Sequence, residues 1–288
     1  MPIGRWCFDE NAFMKFYPLS EGSFTIDQTK QFVPFDPLRD VLQDRPTGSL
    51  LVEIQPFLVQ TDRDLMLLDT GLGFSVDGEL QLHQSIRAAG FEPMQVTKVL
   101  LTHLHKDHAG GIAVGAGAVR TLSFPQATYY ISKAELQFAF EKGAPSYETE
   151  ELKCLIDHPQ VRLMGEQEVI AGYIHAERSG GHCPFHQVFR IEADNQVLFF
   201  GGDEAPQLQQ MKHRFVAKYD HDGKRAQQLR QQWWELGERD GWSFLFYHDI
   251  QHPAWQFSQP IDRAAKRGSL QLQRWGRRKG PFPVSGAG

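Results

Sequence analysis

Residues 102–111 read Thr102-His103-Leu104-His105-Lys106-Asp107-His108-Ala109-Gly110-Gly111. Three histidines and an aspartate fall within six residues, with no cysteine among them. Neutral imidazole and carboxylate are the ligands that a zinc-like ion takes where thiolates are absent. The stretch follows directly on Val96 to Leu101, an apolar run short enough for a buried strand. His103 and His105 therefore alternate onto one side as the chain leaves the strand, while Asp107 and His108 turn into a helix start near Gly110-Gly111. A loop laid out in this way can feed two neighbouring metals. The bland alternative is a polar strand-end loop with incidental histidines, and the density of ligand types sets it aside.

Upstream, strand-like runs at Phe24-Thr25-Ile26, Leu50 to Ile54, Pro56 to Val59 and Leu65 to Leu68 read as a meander ending at Asp69-Thr70-Gly71. Leu82, Ile86 and Ala89 have helical spacing, closed by Gly90. Downstream, Ala127 to Ile131 reads as a strand, and Ser132 with Glu135 three residues on reads as a capping box opening a helix. Strands are expected at 161–164, 169–178, 186–192, 196–201 and 243–247, and helices at 148–156 and 227–236. Strands then helix, twice over, predict an α/β chain folded as a four-layer αββα sandwich. No linker splits it, so residues 1–261 are expected to form a single domain.

The chain has 288 residues, 41% hydrophobic and 23% charged, the composition of a globular protein with a substantial core. Its net charge of −5 is unevenly spread. Residues 262–288 hold seven basic side chains against Asp262, a tail of +6, which leaves −11 on residues 1–261. An acidic body argues against an enzyme held to nucleic acid by phosphate contacts. Cys7, Cys154 and Cys183 are too few and too scattered for a disulfide framework or a zinc ribbon. Charged residues interrupt the N-terminus, and no run approaches the ~18 apolar residues of a membrane span. A cytoplasmic protein with no membrane or nucleic-acid partner is expected.

Taken with its flanks, 102–111 resembles the signature of the metallo-β-lactamase superfamily. Leu68-Asp69-Thr70-Gly71 is similar to that family's preceding motif, and Gly181-His182-Cys183-Pro184-Phe185-His186 to its Gly-His-x-x-Gly-His segment, with Phe185 where Gly is usual. Phe200-Gly201-Gly202-Asp203 resembles the strand ending in a bridging aspartate, and Phe246-Tyr247-His248-Asp249 the last histidine motif. These five motifs stand in order across residues 50–250.

The resemblance implies two divalent cations, zinc with iron, manganese or cobalt as alternatives. His103, His105 and His182 would hold the first, Asp107, His108 and His248 the second, and Asp203 would bridge them. Asp69 would accept from a ligand imidazole and fix its tautomer. A hydroxide bridging the two cations would be the nucleophile, with Asp107 and Asp203 the catalytic carboxylates, Asp107 orienting it and relaying its proton. His186 reads as a structural hydrogen-bonding residue. The bridging carboxylate disfavours an antibiotic-hydrolysing β-lactamase, and the turn at 61–64 and the His248-Asp249 pair look most like the acyl-homoserine-lactone lactonases and their phosphotriesterase-like relatives. Those lactonases usually carry a tyrosine three residues after the bridging aspartate, where this chain has Pro206. The expected function is therefore cleavage of a lactone or ester in a small-molecule substrate, with a homodimer left open. The alternatives are a glyoxalase II-type thioesterase, a phosphotriesterase, and, outside enzymes, a metal-stabilised binding or regulatory module.

Overall fold

A computed structural model describes residues 14–115 and 120–257; Cys7 and the basic tail lie outside them. Two six-stranded sheets face each other. The first runs Lys15–Pro18, Phe57–Gln60, Leu65–Leu68, Lys98–Leu100, Thr128–Ser132, Val161–Met164. The second runs Gln167–Ile170, Ile174–Arg178, Gln187–Ala193, Gln196–Phe200, Ser243–Leu245, Ala254–Gln256. Strand alternation explains the layers, because successive side chains point to opposite faces. Met66 and Leu68 pack inward with Phe57, Leu100, Phe189, Ile191 and Phe200, forming the core between the sheets. Leu65 and Leu67 point the other way, onto Leu82 and Ile86 of helix Gln81–Ala88 and Leu136 of helix Lys133–Lys142. On the outer face of the second sheet, Phe199 and Phe244 meet Trp233 of helix Gly223–Asp240. The result is the expected αββα order.

Strand direction then decides where the chemistry gathers. Leu65–Leu68, Lys98–Leu100 and Thr128–Ser132 are parallel, so the residues after the first two, Asp69 and Thr102-His103, leave the same edge. In the second sheet Gln196–Phe200 and Ser243–Leu245 are parallel, and Ile174–Arg178 shares their direction through two antiparallel pairings. Asp203, His248 and His182 follow those three strands and therefore leave one edge as well.

Three local readings change. Leu50–Ile54 does not continue into a meander but pairs with Gly22–Ile26 in a separate three-stranded sheet, and of the expected meander Phe57–Gln60 and Leu65–Leu68 lie in the large sheet. The expected strand 169–178 is a hairpin, broken where Ala171 and Gly172 take left-handed φ of 51° and 79°. The helix expected at 227–236 starts earlier, at Gly223, because the Asp222 side chain accepts from Arg225 N at its cap, and it runs to a left-handed Gly241. Among the described residues, no helix is long and apolar enough to cross a membrane.

Candidate metal centre

Two close backbone approaches build the floor of the site. The turn at Thr70–Gly73 lies on the segment His108–Gly111, with Thr70 N–H donating to His108 O (2.7 Å) and Gly110 N–H to Gly71 O (2.8 Å). A Cβ on Gly110 would stand 2.3 Å from Leu72 O, which is why glycine occupies that position. Asp69, fully buried with φ of 56°, organises the loop above. It accepts from Thr102 N (2.7 Å) and Thr102 Oγ1 (2.8 Å), and its Oδ2 lies 2.8 Å from His108 Nδ1.

Above this floor the seven candidate ligands of the sequence fall into two adjoining groups. His103, His105, His182 and Asp203 form one, and Asp107, His108 and His248 the other, each with its ligand atoms within 4.8 Å of one another. His105 Nδ1 stands 2.9 Å from His103 Nε2 and 3.2 Å from His182 Nε2. In the second group Asp107 Oδ2 is 3.5 Å from His248 Nε2 and 3.7 Å from His108 Nε2. Asp203 reaches both groups: Oδ2 is 3.2 Å from His182 Nε2, whereas Oδ1 is 3.1 Å from His108 Nε2 and 2.9 Å from His248 Nε2.

The far nitrogens of four imidazoles are each held by an oxygen. His103 Nδ1 faces Thr102 Oγ1 (3.0 Å), His108 Nδ1 faces Asp69, His182 Nδ1 faces Asp220 Oδ1 (3.0 Å), and His248 Nδ1 faces Glu53 O (2.7 Å). A carboxylate or carbonyl can only accept, and Thr102 Oγ1 already donates its proton to Asp69, so each Nδ1 carries a proton and Nε2 is the nitrogen turned inward, the arrangement that orients histidine ligands. Burial, and then neighbouring histidines, hold His103 and His105 well below the ordinary imidazole range. Burial pulls His108 in the same direction, but Asp203 and Asp107 overcome it and raise that ring well above the usual value. The carboxylates thus favour positive charge here. Buried His108 Nε2 and Asp203 Oδ1 also lack a hydrogen-bond partner. Inward-facing imidazole nitrogens, carboxylates that attract positive charge and buried polar atoms without a hydrogen-bond partner fit divalent cations.

Several supporting residues carried no motif. Asp220 comes from a loop docked on the His182 turn, where His221 N donates to His182 O and Asp222 N to Gly181 O. Glu204 Oε2 accepts from His182 N (2.7 Å), and Glu53 holds His248 through its backbone, its carbonyl facing Nδ1 and its N–H donating to His248 O (3.4 Å). His186 is fully buried, pairs through Nδ1 with Ser179 Oγ (2.9 Å), and accepts from Asp203 N at Nε2 (3.2 Å). The Pro206 carbonyl accepts from His248 N (3.0 Å), so that position anchors a candidate ligand. Three tyrosines stand near the centre instead. Tyr247 stacks on His108 (4.0 Å) and donates to Asp107 O, and Tyr147 donates to buried Glu135. Tyr219, whose ring lies 6.1 Å from His182, is 39% exposed and opens to solvent.

This fold and paired donor set are those of a metal-binding hydrolase family, and the chain belongs to it: residues 53–232, more than half its length, match the metallo-beta-lactamase superfamily. Within that family it is similar to the N-acyl homoserine lactonase AttM of Rhizobium johnstonii, 38% identical over 180 residues, 57% of this chain and 62% of the relative. An N-acyl homoserine lactonase of Bacillus cereus is 24% identical over 175 residues, 53% of this chain and 64% of the relative. The chain therefore spans less than two thirds of the length of these curated relatives. Among solved structures, it shares its fold with a probable metal-dependent hydrolase from Staphylococcus aureus (TM-score 0.70, 20% identity, covering 86% of this chain and 94% of that one). It is similarly close to AidC, a dizinc quorum-quenching lactonase in complex with a product (TM-score 0.65, 20% identity, 86% and 92%).

Proposed function

We propose that this chain is a metal-dependent hydrolase that opens a lactone or closely related ester, using two divalent cations. The observation that carries the reading is Asp203, a single carboxylate with one oxygen facing each donor group. His103, His105 and His182 would hold one cation and Asp107, His108 and His248 the other, with Asp203 available to both. Zinc suits this set of imidazoles and carboxylates. Such cations, when bound, would bring the pKa of a water toward neutrality and polarise a carbonyl. The similarity to named N-acyl homoserine lactonases supports an acyl lactone as substrate. Residues 1–261 are read as one metallo-hydrolase domain, with 262–288 a basic tail.

The protein's own groups then divide the work. Asp69 and Thr102 fix the two loops, so the donor atoms are in place before substrate arrives. Asp107 Oδ2 lies between His108 and His248, positioned to take a proton from an attacking water and pass it on. The Tyr219 hydroxyl, an ordinary phenol open to solvent, is a neutral O–H donor at pH 7. It is the tyrosine left to assist a developing oxyanion, since the hydroxyls of Tyr147 and Tyr247 are already donated.

Elemental analysis of chain purified without chelator tests the metal count, with two equivalents expected and one equivalent at full activity contradicting the reading. Rates on an acyl lactone, an aryl ester, a glutathione thioester and a phosphotriester test the substrate. The lactone should lead, and a thioester leading tenfold would replace this reading with a thioesterase.

A further inference from the structure

Ser132 and Glu135 have the spacing of a capping box, in which the glutamate reaches back to the free N–H at the helix start. Half of that box forms: Ser132 Oγ accepts from Glu135 N (3.3 Å). The Glu135 side chain goes elsewhere. It is fully buried, and its two oxygens serve different segments of the chain. Oε1 accepts from Leu104 N (3.1 Å) and Tyr147 OH (3.0 Å), and Oε2 faces Cys183 Sγ (3.5 Å). Leu104 sits between His103 and His105, and Cys183 follows His182 directly. Tyr147 closes over the same loop, its ring 4.8 Å from that of His105, while Ser146 O accepts from Lys106 N (2.9 Å).

We propose that Glu135 is a positioning residue for the first metal: it ties the loop carrying His103 and His105 to the loop carrying His182, and so sets the spacing of those three imidazoles. Burying a carboxylate is unfavourable unless its partners are well placed, and an exposed glutamate would cap the helix without that cost. The second group has separate supports, because His108 leans on Asp69 and His248 on Glu53 O, and neither touches Glu135. The effect of Glu135 is therefore asymmetric. Its loss weakens one of the two metal sites and spares the other.

The proposal rests on the two-metal reading above, and the test separates them. Full-length chain loaded with zinc is titrated against a chromophoric chelator that resolves the two equivalents, and the cobalt-loaded form is followed by its visible spectrum. Glu135→Ala should weaken one equivalent by 10–100-fold, the range for lost outer partners of metal ligands, and leave the other within threefold. Glu135→Gln keeps an acceptor for Leu104 N and Tyr147 OH and should restore wild-type binding of both. If the alanine variant does not fold, Tyr147→Phe combined with Cys183→Ala removes one partner from each oxygen and should weaken the same equivalent at least fivefold, with a changed cobalt spectrum. Wild-type affinity in that double variant, equal weakening of both equivalents, or no rescue by glutamine would each overturn the proposal. A wild-type chain that never holds two equivalents is a different result, and overturns the two-metal reading itself.

Discussion

Glu21 offers a pH-dependent test of how the floor of the site is held. Its carboxylate is buried against the Thr70–Gly73 turn, where Leu72 N donates to Oε2 and a Cβ on Gly71 would meet the same oxygen at 2.4 Å. Oε1 has no hydrogen-bond partner. Burial outweighs the Leu72 and Gly73 amides and pushes the group up to about 8, against 4.5 in an unfolded chain. Between those two values the folded chain keeps a proton that the unfolded chain has released. The contribution of Glu21 to stability is thus fully present below pH 4.5 and is lost as pH rises to 8. At ~1.4 kcal/mol per unit, the loss is on the order of 4 kcal/mol, a large share of a typical folding free energy of ~5–15 kcal/mol. Glu21→Gln is neutral at every pH and escapes it. Urea unfolding of both chains, at equal metal load, should show the variant gaining on wild type by more than ~2 kcal/mol between pH 5 and pH 8. Subtracting wild type from variant removes every other titrating group. A difference constant to within ~0.5 kcal/mol across that range would refute the argument, because it would mean that Glu21 ionises as it does in water.

Asp203→Ala removes the carboxylate facing both donor groups and should cost at least one metal equivalent and more than 99% of lactone hydrolysis, read by elemental analysis and initial rates. Gly202→Ala places a Cβ 2.7 Å from Thr102 Oγ1 at a φ of 49°, and should lower stability by ~1–3 kcal/mol and loosen Asp203, seen together in denaturant unfolding and metal content. Tyr219→Phe keeps the ring and loses the donor. It should lower kcat about tenfold while leaving KM and bound metal nearly unchanged, and an unaltered kcat would exclude Tyr219 from oxyanion assistance.

Much of this was legible because two periodicities coincide with one chemistry. The run Leu65–Leu68 is apolar at every position because it is buried on both faces, as parallel central strands are. His103, Asp203 and His248 each stand three residues beyond a strand, so the strands place them as surely as the motifs name them. Leu50–Ile54 is as apolar as its neighbours, with Glu53 its one polar residue, and nothing in its composition says which of two sheets it joins; Gln55-Pro56 makes the change of sheet, with Leu19 N donating to Pro56 O. The break at Ala171-Gly172 is marked in the sequence by its glycine, but the β-branched residues on either side, Val169-Ile170 and Ile174, are equally compatible with one continuous strand.

The outer supports were hidden for a deeper reason. In a site without thiolates a zinc-like ion draws on histidines and acids, a short list of residue types, whereas the hydrogen-bond partner of a ligand has only to be an oxygen in the right place. His248 is oriented by a backbone carbonyl, that of Glu53, which any residue could supply. His182 is oriented by Asp220, which sits 38 residues on in a loop and reaches the site because His221 and Asp222 pair with the His182 turn. Glu135 is harder still, because its spacing from Ser132 already had a local explanation in the helix cap. Only burial reveals that the side chain abandons that role. Substitutions at Asp220 and Glu135 should therefore disturb the metal centre although neither residue belongs to its signature, whereas replacing Glu53 with glutamine should leave His248 in place, since the carbonyl remains.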